Sequence, residues 1–162
     1  MRKMLVAALA CLAPFAAHAA PAQGDPIVVM VVDRATQELH VSVNGVETYV
    51  WPVSTGRKLE WTRPGTYTVF TPQTEAYVHY HSHKVYCERN ARTGHERCVH
   101  ASMPYALFFD VGRAIHAATS NEYAKLGTRA SHGCVRVRLE YAQTLFELVQ
   151  KYGKEHAKVI VQ

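Results

Sequence analysis

The chain has 162 residues, 48% of them hydrophobic and 19% charged, with a formal net charge of +5. That length supports a single hydrophobic core without metal or dense disulfide support, and so argues for one domain. The basicity is mild and forms no stripe of cations interleaved with aromatics, which gives no ground for a nucleic-acid partner.

Arg2 and Lys3 precede an apolar run from Met4 to Ala17, and Ala17-His18-Ala19 offers small residues where a signal peptidase cuts. Residues 1–19 read as a secretory signal peptide, too short to span a bilayer. Cys11, inside that run, is a weak lipid-acceptor candidate, because the apolar stretch before it is short and no leucine stands three positions earlier. Cleavage after Ala19 takes the net charge to +3 and leaves no later apolar run of transmembrane length. The mature protein is therefore expected outside the cytoplasm, with a linker at 20–26 and a folded domain at 27–162.

Ile27-Val28-Val29-Met30-Val31-Val32 is an apolar, β-branched run of strand length. Leu39, Val41 and Val43 then alternate with polar residues, and Val46, Thr48 and Val50 resume the alternation after Asn44-Gly45. A two-residue type I′ hairpin pairs Val43 with Val46, Val41 with Thr48 and Leu39 with Val50, all on one face. Pro64-Gly65 marks a turn into a strand over Thr66-Tyr67-Thr68-Val69-Phe70.

Tyr77 to His83 places His79, His81 and His83 at period two, on one face if extended. Such spacing can bind zinc, with Cys87, His95 or His100 as a fourth ligand. No carboxylate pattern accompanies it, and the reading here is no metal and no organic cofactor.

With Cys11 in the signal, three cysteines remain in an oxidising compartment. Cys87 and Cys98 flank a polar, turn-prone segment and suit a disulfide closing a short loop, which leaves Cys134 as a thiol. Met103 to Phe109 and Ala114-Ile115-His116 read as two strands joined by a turn, with His116 at a strand end. A loop with one helical turn near Tyr123 to Leu126 leads to Ala130. Beyond the cysteine, Leu139, Ala142, Leu145, Phe146 and Val149 recur at helical spacing, Gly153 stops the helix, and Lys158 to Val161 closes the chain as a strand. The sum is a mainly β, mainly antiparallel domain with one or two helices.

A thiol attacks as thiolate and needs a base or cation beside it. His132, two residues before Cys134, and His116, eighteen before it, are the candidates. Gly133 frees the backbone for a close approach, so that its N–H and that of Cys134 are candidate oxyanion donors.

Ser131-His132-Gly133-Cys134-Val135-Arg136, preceded by Ile115-His116 and Leu126-Gly127, resembles the signature of the L,D-transpeptidase catalytic domain (YkuD family) of bacterial cell-wall enzymes. Pro52-Val53-Ser54-Thr55-Gly56, Pro64-Gly65-Thr66-Tyr67 and Met103-Pro104-Tyr105 are similar to that family's segments, in the same order. The resemblance implies a YkuD-like β-sandwich. It implies Cys134 as nucleophile, forming a thioester with a tetrapeptide stem of peptidoglycan, and His116 as general base. Ser131, His132, Gly133 and Arg136 would shape the oxyanion and substrate site, Arg136 either by ordering the loop or by meeting a stem carboxylate. Ala117 replaces the Gly or Ser found in many members and would orient His116 through its backbone carbonyl. The Cys87–Cys98 segment is no general family feature, and reads as a lid over the cleft or a plain surface loop. The expected product is an amide to a second stem or to a lipoprotein lysine, in the periplasm. The alternatives are a carboxypeptidase or hydrolase of the same fold, in which water takes the acyl group, and a non-catalytic metal- or wall-binding module.

Overall fold

The computed structural model describes residues 26–70, 81–89, 92–94 and 96–162, and for 81–89 and 96–101 the course of the backbone only. The expected signal peptide, nearly all of the linker, and His79 and His95 lie outside these residues.

Among the described residues there are ten strands and one α-helix. Strands β1 (Val28–Asp33), β2 (Glu38–Val43), β3 (Val46–Pro52), β4 (Gly65–Thr68) and β10 (Ala157–Val161) form a five-stranded sheet in the order β3-β2-β1-β10-β4. Strands β5 (His81–Arg89) and β6 (Glu96–Pro104) make a two-stranded ribbon, and β7 (Leu107–Asp110), β8 (Arg113–Ala117) and β9 (Val135–Val137) a three-stranded sheet. The fold is the mainly β one expected. It is less uniformly antiparallel, because β1 pairs with β10 and β8 with β9 in parallel.

One core lies between the large sheet, the small sheet and helix α1 (Leu139–Tyr152). Met30, Leu39, Val41 and Val159 meet Ile115, Val135 and Val137 there, and the helix adds Ala142, Leu145 and Val149. Leu139, counted in the helical stripe, is 44% exposed, since it opens the first turn and lies off the sheet. Gly153 ends the helix at φ +92°, with its N–H bonded to the Val149 carbonyl. Single bridges from Ser54 to Arg136, Gly56 to Ser131 and Phe70 to Phe108 tie the segments after β3 and β4 to the small sheet.

The Asn44-Gly45 hairpin forms with both residues at positive φ, as a type I′ turn requires. Its register is not the simple alternation expected. Val43 pairs with Val46 and Ser42 with Glu47, but Val41 then faces Tyr49 and Leu39 faces Trp51, leaving Thr48 as the extra residue of a bulge. The cause is aromatic burial. The bulge turns Trp51 inward, to 8% exposure, and stacks it between Tyr49 and Tyr141 with centroids 4.7 Å apart on each side, while Val50 stays 45% exposed. Burying an indole of 150–250 Å² is worth about 4–6 kcal/mol at ~25 cal/mol per Å², more than a valine returns.

The cysteine segment also differs from expectation. Cys87 and Cys98 do not flank a loop; they lie inside the β5–β6 ribbon, directly opposite each other, with paired residues on both sides.

The bulged register makes a discriminating prediction. Urea unfolding should show Trp51→Ala losing about 3–5 kcal/mol, while Val50→Thr stays within about 0.5 kcal/mol. The unbulged hairpin requires the reverse order.

Candidate active site

The segment before β9 is a tight turn built around a buried serine. Ser131 is fully buried; its Oγ donates to the Cys134 carbonyl at 2.6 Å and accepts the Gly133 N–H at 2.9 Å. The strap that follows β3 holds this turn from outside. Ala130 and Ser131 donate their N–H groups to the Thr55 carbonyl at 3.0 and 2.9 Å, and Arg57 donates its own to the Ser131 carbonyl at 3.0 Å. Thr62 Oγ1 accepts from Gly56 at 2.8 Å and donates to the Gly133 carbonyl at 2.9 Å. Gly133 sits at φ +121°, and a Cβ there would lie 2.7 Å from the Trp61 carbonyl oxygen. Both conditions exclude a side chain. The Gly133 N–H, expected as an oxyanion donor, is instead engaged by Ser131 Oγ, because the turn needs it internally.

Strands β8 and β9 bring His116 to this turn. Their parallel register sets Ile115 beside Val135 and His116 beside Arg136. Ile115 and Val135 point into the core, so alternation sends Ala114, His116, Cys134 and Arg136 to the other face. Cys134 is half-buried and packs with Ala106 against a small apolar cluster of Met103, Phe108 and Ala114. His116 is 6% exposed, and its Nδ1 lies 2.8 Å from the Ala117 carbonyl. A carbonyl only accepts, so Nδ1 carries the proton and Nε2 holds the basic lone pair. The contact anticipated for Ala117, through its backbone, is present.

His132 is placed differently. It is exposed, stacks on Trp61 at 5.3 Å, and its Nε2 receives a hydrogen bond from Arg57 at 2.5 Å. With that lone pair engaged, the ring has no basic nitrogen to offer the thiol. Arg136 points to structural use: its NH1 pairs with Glu122 at 2.9 Å, and its backbone exchanges both hydrogen bonds with Ser54 at 2.9 Å.

Two groups escaped the sequence reading. Glu122 lies in a short 3-10 helix, Ser120–Lys125, where its second carboxylate oxygen accepts from the Thr119 hydroxyl at 2.9 Å and the Thr119 N–H at 3.2 Å. It therefore clamps the segment leaving His116 to the strand leaving Cys134. The spacing Thr119-x-x-Glu122 is a capping-box pattern and carried the signal. Asp110, 8% exposed, binds Arg63 through two nitrogens at 2.8 to 3.1 Å and Arg113 at 3.0 Å. Arg113 Nε in turn donates to the Trp61 carbonyl that walls in Gly133. Nothing local in the sequence announces that link, since Arg63 and Asp110 are 47 positions apart.

Among the described residues, no three His, Cys, Asp or Glu side chains converge as a metal site, and no helix is long and apolar enough to cross a membrane. Of the proposed zinc ligands, His81, His83, Cys87 and His100 fall on the ribbon.

The model of the L,D-transpeptidase catalytic domain (YkuD) matches residues 27–161. The chain belongs to this family. Its fold is shared by an L,D-transpeptidase from Mycobacterium tuberculosis H37Rv at 27% identity and TM-score 0.58, covering 85% of this chain and 58% of that one. L,D-transpeptidase 3 from Mycobacterium tuberculosis follows at 25% and 0.62, covering 85% and 61%. An L,D-transpeptidase from Mycobacterium smegmatis has 22% and 0.60, covering 84% and 58%. The chain thus spans about three fifths of the length of these L,D-transpeptidases. A comparison with curated protein sequences returned no match.

Buried Asp110 and half-buried Glu122 give this YkuD domain an acid limit. For Asp110, burial pushes the carboxyl up, but the Arg63 hydrogen bond, the Val111 N–H and the charges of Arg113 and Arg63 outweigh it, and the net is below the ordinary 3.8. For Glu122, burial is likewise outweighed, by the Arg136 charge and the two Thr119 hydrogen bonds, to below 4.5. A lowered folded pKa stabilises above the unfolded value and is lost as pH falls through the folded one. Urea midpoints should therefore drop below about pH 4, and Asp110→Asn with Glu122→Gln should lower stability at neutral pH and flatten that decline.

Proposed function

We propose that the chain is an exported peptidoglycan L,D-transpeptidase, with residues 1–19 as its signal peptide, 20–26 as a linker and 27–162 as the catalytic domain acting in the periplasm. The observation that carries the chemistry is the His116 tautomer. Its Nδ1–H is fixed on the Ala117 carbonyl, so Nε2 is left basic on the sheet face it shares with Cys134. His116 takes the thiol proton, and the thiolate attacks the carbonyl of the third residue of a tetrapeptide stem. Collapse of the tetrahedral adduct forms the thioester and expels D-alanine, whose amine receives that proton from His116. An amine of a second stem, or of a lipoprotein lysine, then displaces Cys134 and closes the new amide.

Solved relatives support acylation of such a domain: Mycobacterium tuberculosis L,D-transpeptidase 3 is known with a faropenem-derived adduct. A thiol attacks as thiolate, so the reaction needs a base beside Cys134 to take its proton. Ser131 and Gly133 shape the turn that presents the thiol, and Arg136 orders it through Glu122. Intact-mass analysis of the mature chain with a tetrapeptide stem should show an acyl adduct with release of D-alanine. Cys134→Ala should show none, and His116→Ala should slow adduct formation by about 10²–10⁴-fold. An adduct that survives in Cys134→Ala overturns the mechanism, and release of stems without cross-linked product assigns water as acceptor.

The Cys87–Cys98 disulfide belongs to the same proposal. Residues directly opposite in an antiparallel pair have Cα atoms about 4.5–5.5 Å apart, inside the range a disulfide spans. Alkylation of the denatured mature chain from an oxidising compartment should add one label without reductant and three with it.

A further inference from the structure

We propose that Arg57, assisted by Lys58, is the docking point for a carboxylate of the acyl-donor peptide at the mouth of the Cys134 site. The proposal rests on the acyl-transfer reading above and adds a substrate-recognition residue to it.

The argument comes from where the cations go. Arg63 and Arg113 are neutralised by Asp110, Arg136 by Glu122 and Arg138 by Glu140. Arg34 and Arg129 donate to backbone carbonyls, Arg34 to those of Leu59 and Gln162 and Arg129 to that of Arg34. Arg57 does neither. Its partners are the neutral His132 Nε2 and the face of Trp61, 5.6 Å from the ring centroid. Among the described residues no carboxylate lies within ion-pair distance of it, and Glu60, exposed on the same loop, makes no ion pair with it. Lys58 is also over Trp61, at 5.4 Å.

The placement is fixed. Gly56 bridges Ser131 in parallel and the Arg57 N–H binds the Ser131 carbonyl, so the arginine is anchored three residues from the nucleophile. Hydrogen bonding and stacking hold an exposed side chain whose rotamers are otherwise costly to order. One guanidinium nitrogen is used by His132, and the remaining N–H groups keep the planar fork that fits a carboxylate. Arg136, expected either to order the loop or to meet a stem carboxylate, is paired with Glu122, which leaves the carboxylate role to Arg57.

Two measurements test this. Cys134 is alkylated with iodoacetate and with iodoacetamide, which differ in carrying or lacking a carboxylate, and the ratio of the two rate constants is compared between wild type and variants. Arg57→Ala should lower the iodoacetate-to-iodoacetamide ratio by about 3–10-fold, and Arg57→Lys, which keeps charge but not the fork, should recover part of it. An unchanged ratio in Arg57→Ala overturns the subsite whether or not the chain transfers acyl groups. Tetrapeptide donors with their carboxylates amidated one at a time provide the second test. One amidated form should lose about 10–100-fold in kcat/KM, mainly through KM, with wild type, and show no further loss with Arg57→Ala. Equal losses on every donor in Arg57→Ala overturn the proposal. If wild type accepts no donor while the alkylation ratio still depends on Arg57, the transpeptidase reading fails and the anion site stands alone.

Discussion

The Ser131 hydroxyl is the hinge on which the site's geometry turns. A hydroxyl both donates and accepts, and here it does each once within four residues, taking the Gly133 N–H and binding the Cys134 carbonyl. Ser131 is fully buried and its bond with the Gly133 N–H is buried too, so losing the hydroxyl would take from that N–H a partner water does not readily replace. The turn forces Gly133 into the left-handed region, and this lets the Trp61 carbonyl approach where a side chain would stand. The same Trp61 carbonyl accepts from Arg113, which links the turn to the Asp110 cluster.

Charge in this protein is arranged in layers around the turn. Buried Asp110 and half-buried Glu122 each neutralise arginines that brace backbone near the site, Arg113 at Trp61 and Arg136 beside His116. These interactions fix the positions of elements, and breaking one is costly because it leaves a charge poorly exposed to water without its partner. The outer layer, Arg57 and Lys58, lies over an aromatic surface in place of a carboxylate. The inner charges are paired within the protein, and the outer ones lie on the exposed loop whose backbone binds Ser131.

The fold and much of the site were legible in sequence where a local signal coincided with the tertiary demand. Asn44-Gly45 dictated a hairpin, the Leu139 to Val149 spacing a helix, and Ser131 to Arg136 the turn carrying the thiol. The failures share one cause. Alternation placed Val50 inside because it reads neighbours two apart, whereas the burial of Trp51 against Tyr141, 90 positions away in sequence, decided the register. The Cys87 and Cys98 segment read as a loop because its middle is polar, but strand pairing continues past both cysteines before the chain turns. Asp110 and its two arginines were invisible, since their partnership exists only after folding. Glu122 was legible in principle, through its spacing from Thr119, but the pattern announces a helix start and not a clamp between strands.

The pairing of β1 with β10 has a consequence for how the molecule is made. The first strand of the fold is interior to the large sheet, and one of its two hydrogen-bonding edges is filled by the last strand. Val28 to Val32 must wait, with that edge open, until residues 157–161 arrive to pair with them. Such end-to-end contact slows folding by requiring the longest loop to close, so the sheet completes as one late event instead of growing strand by strand.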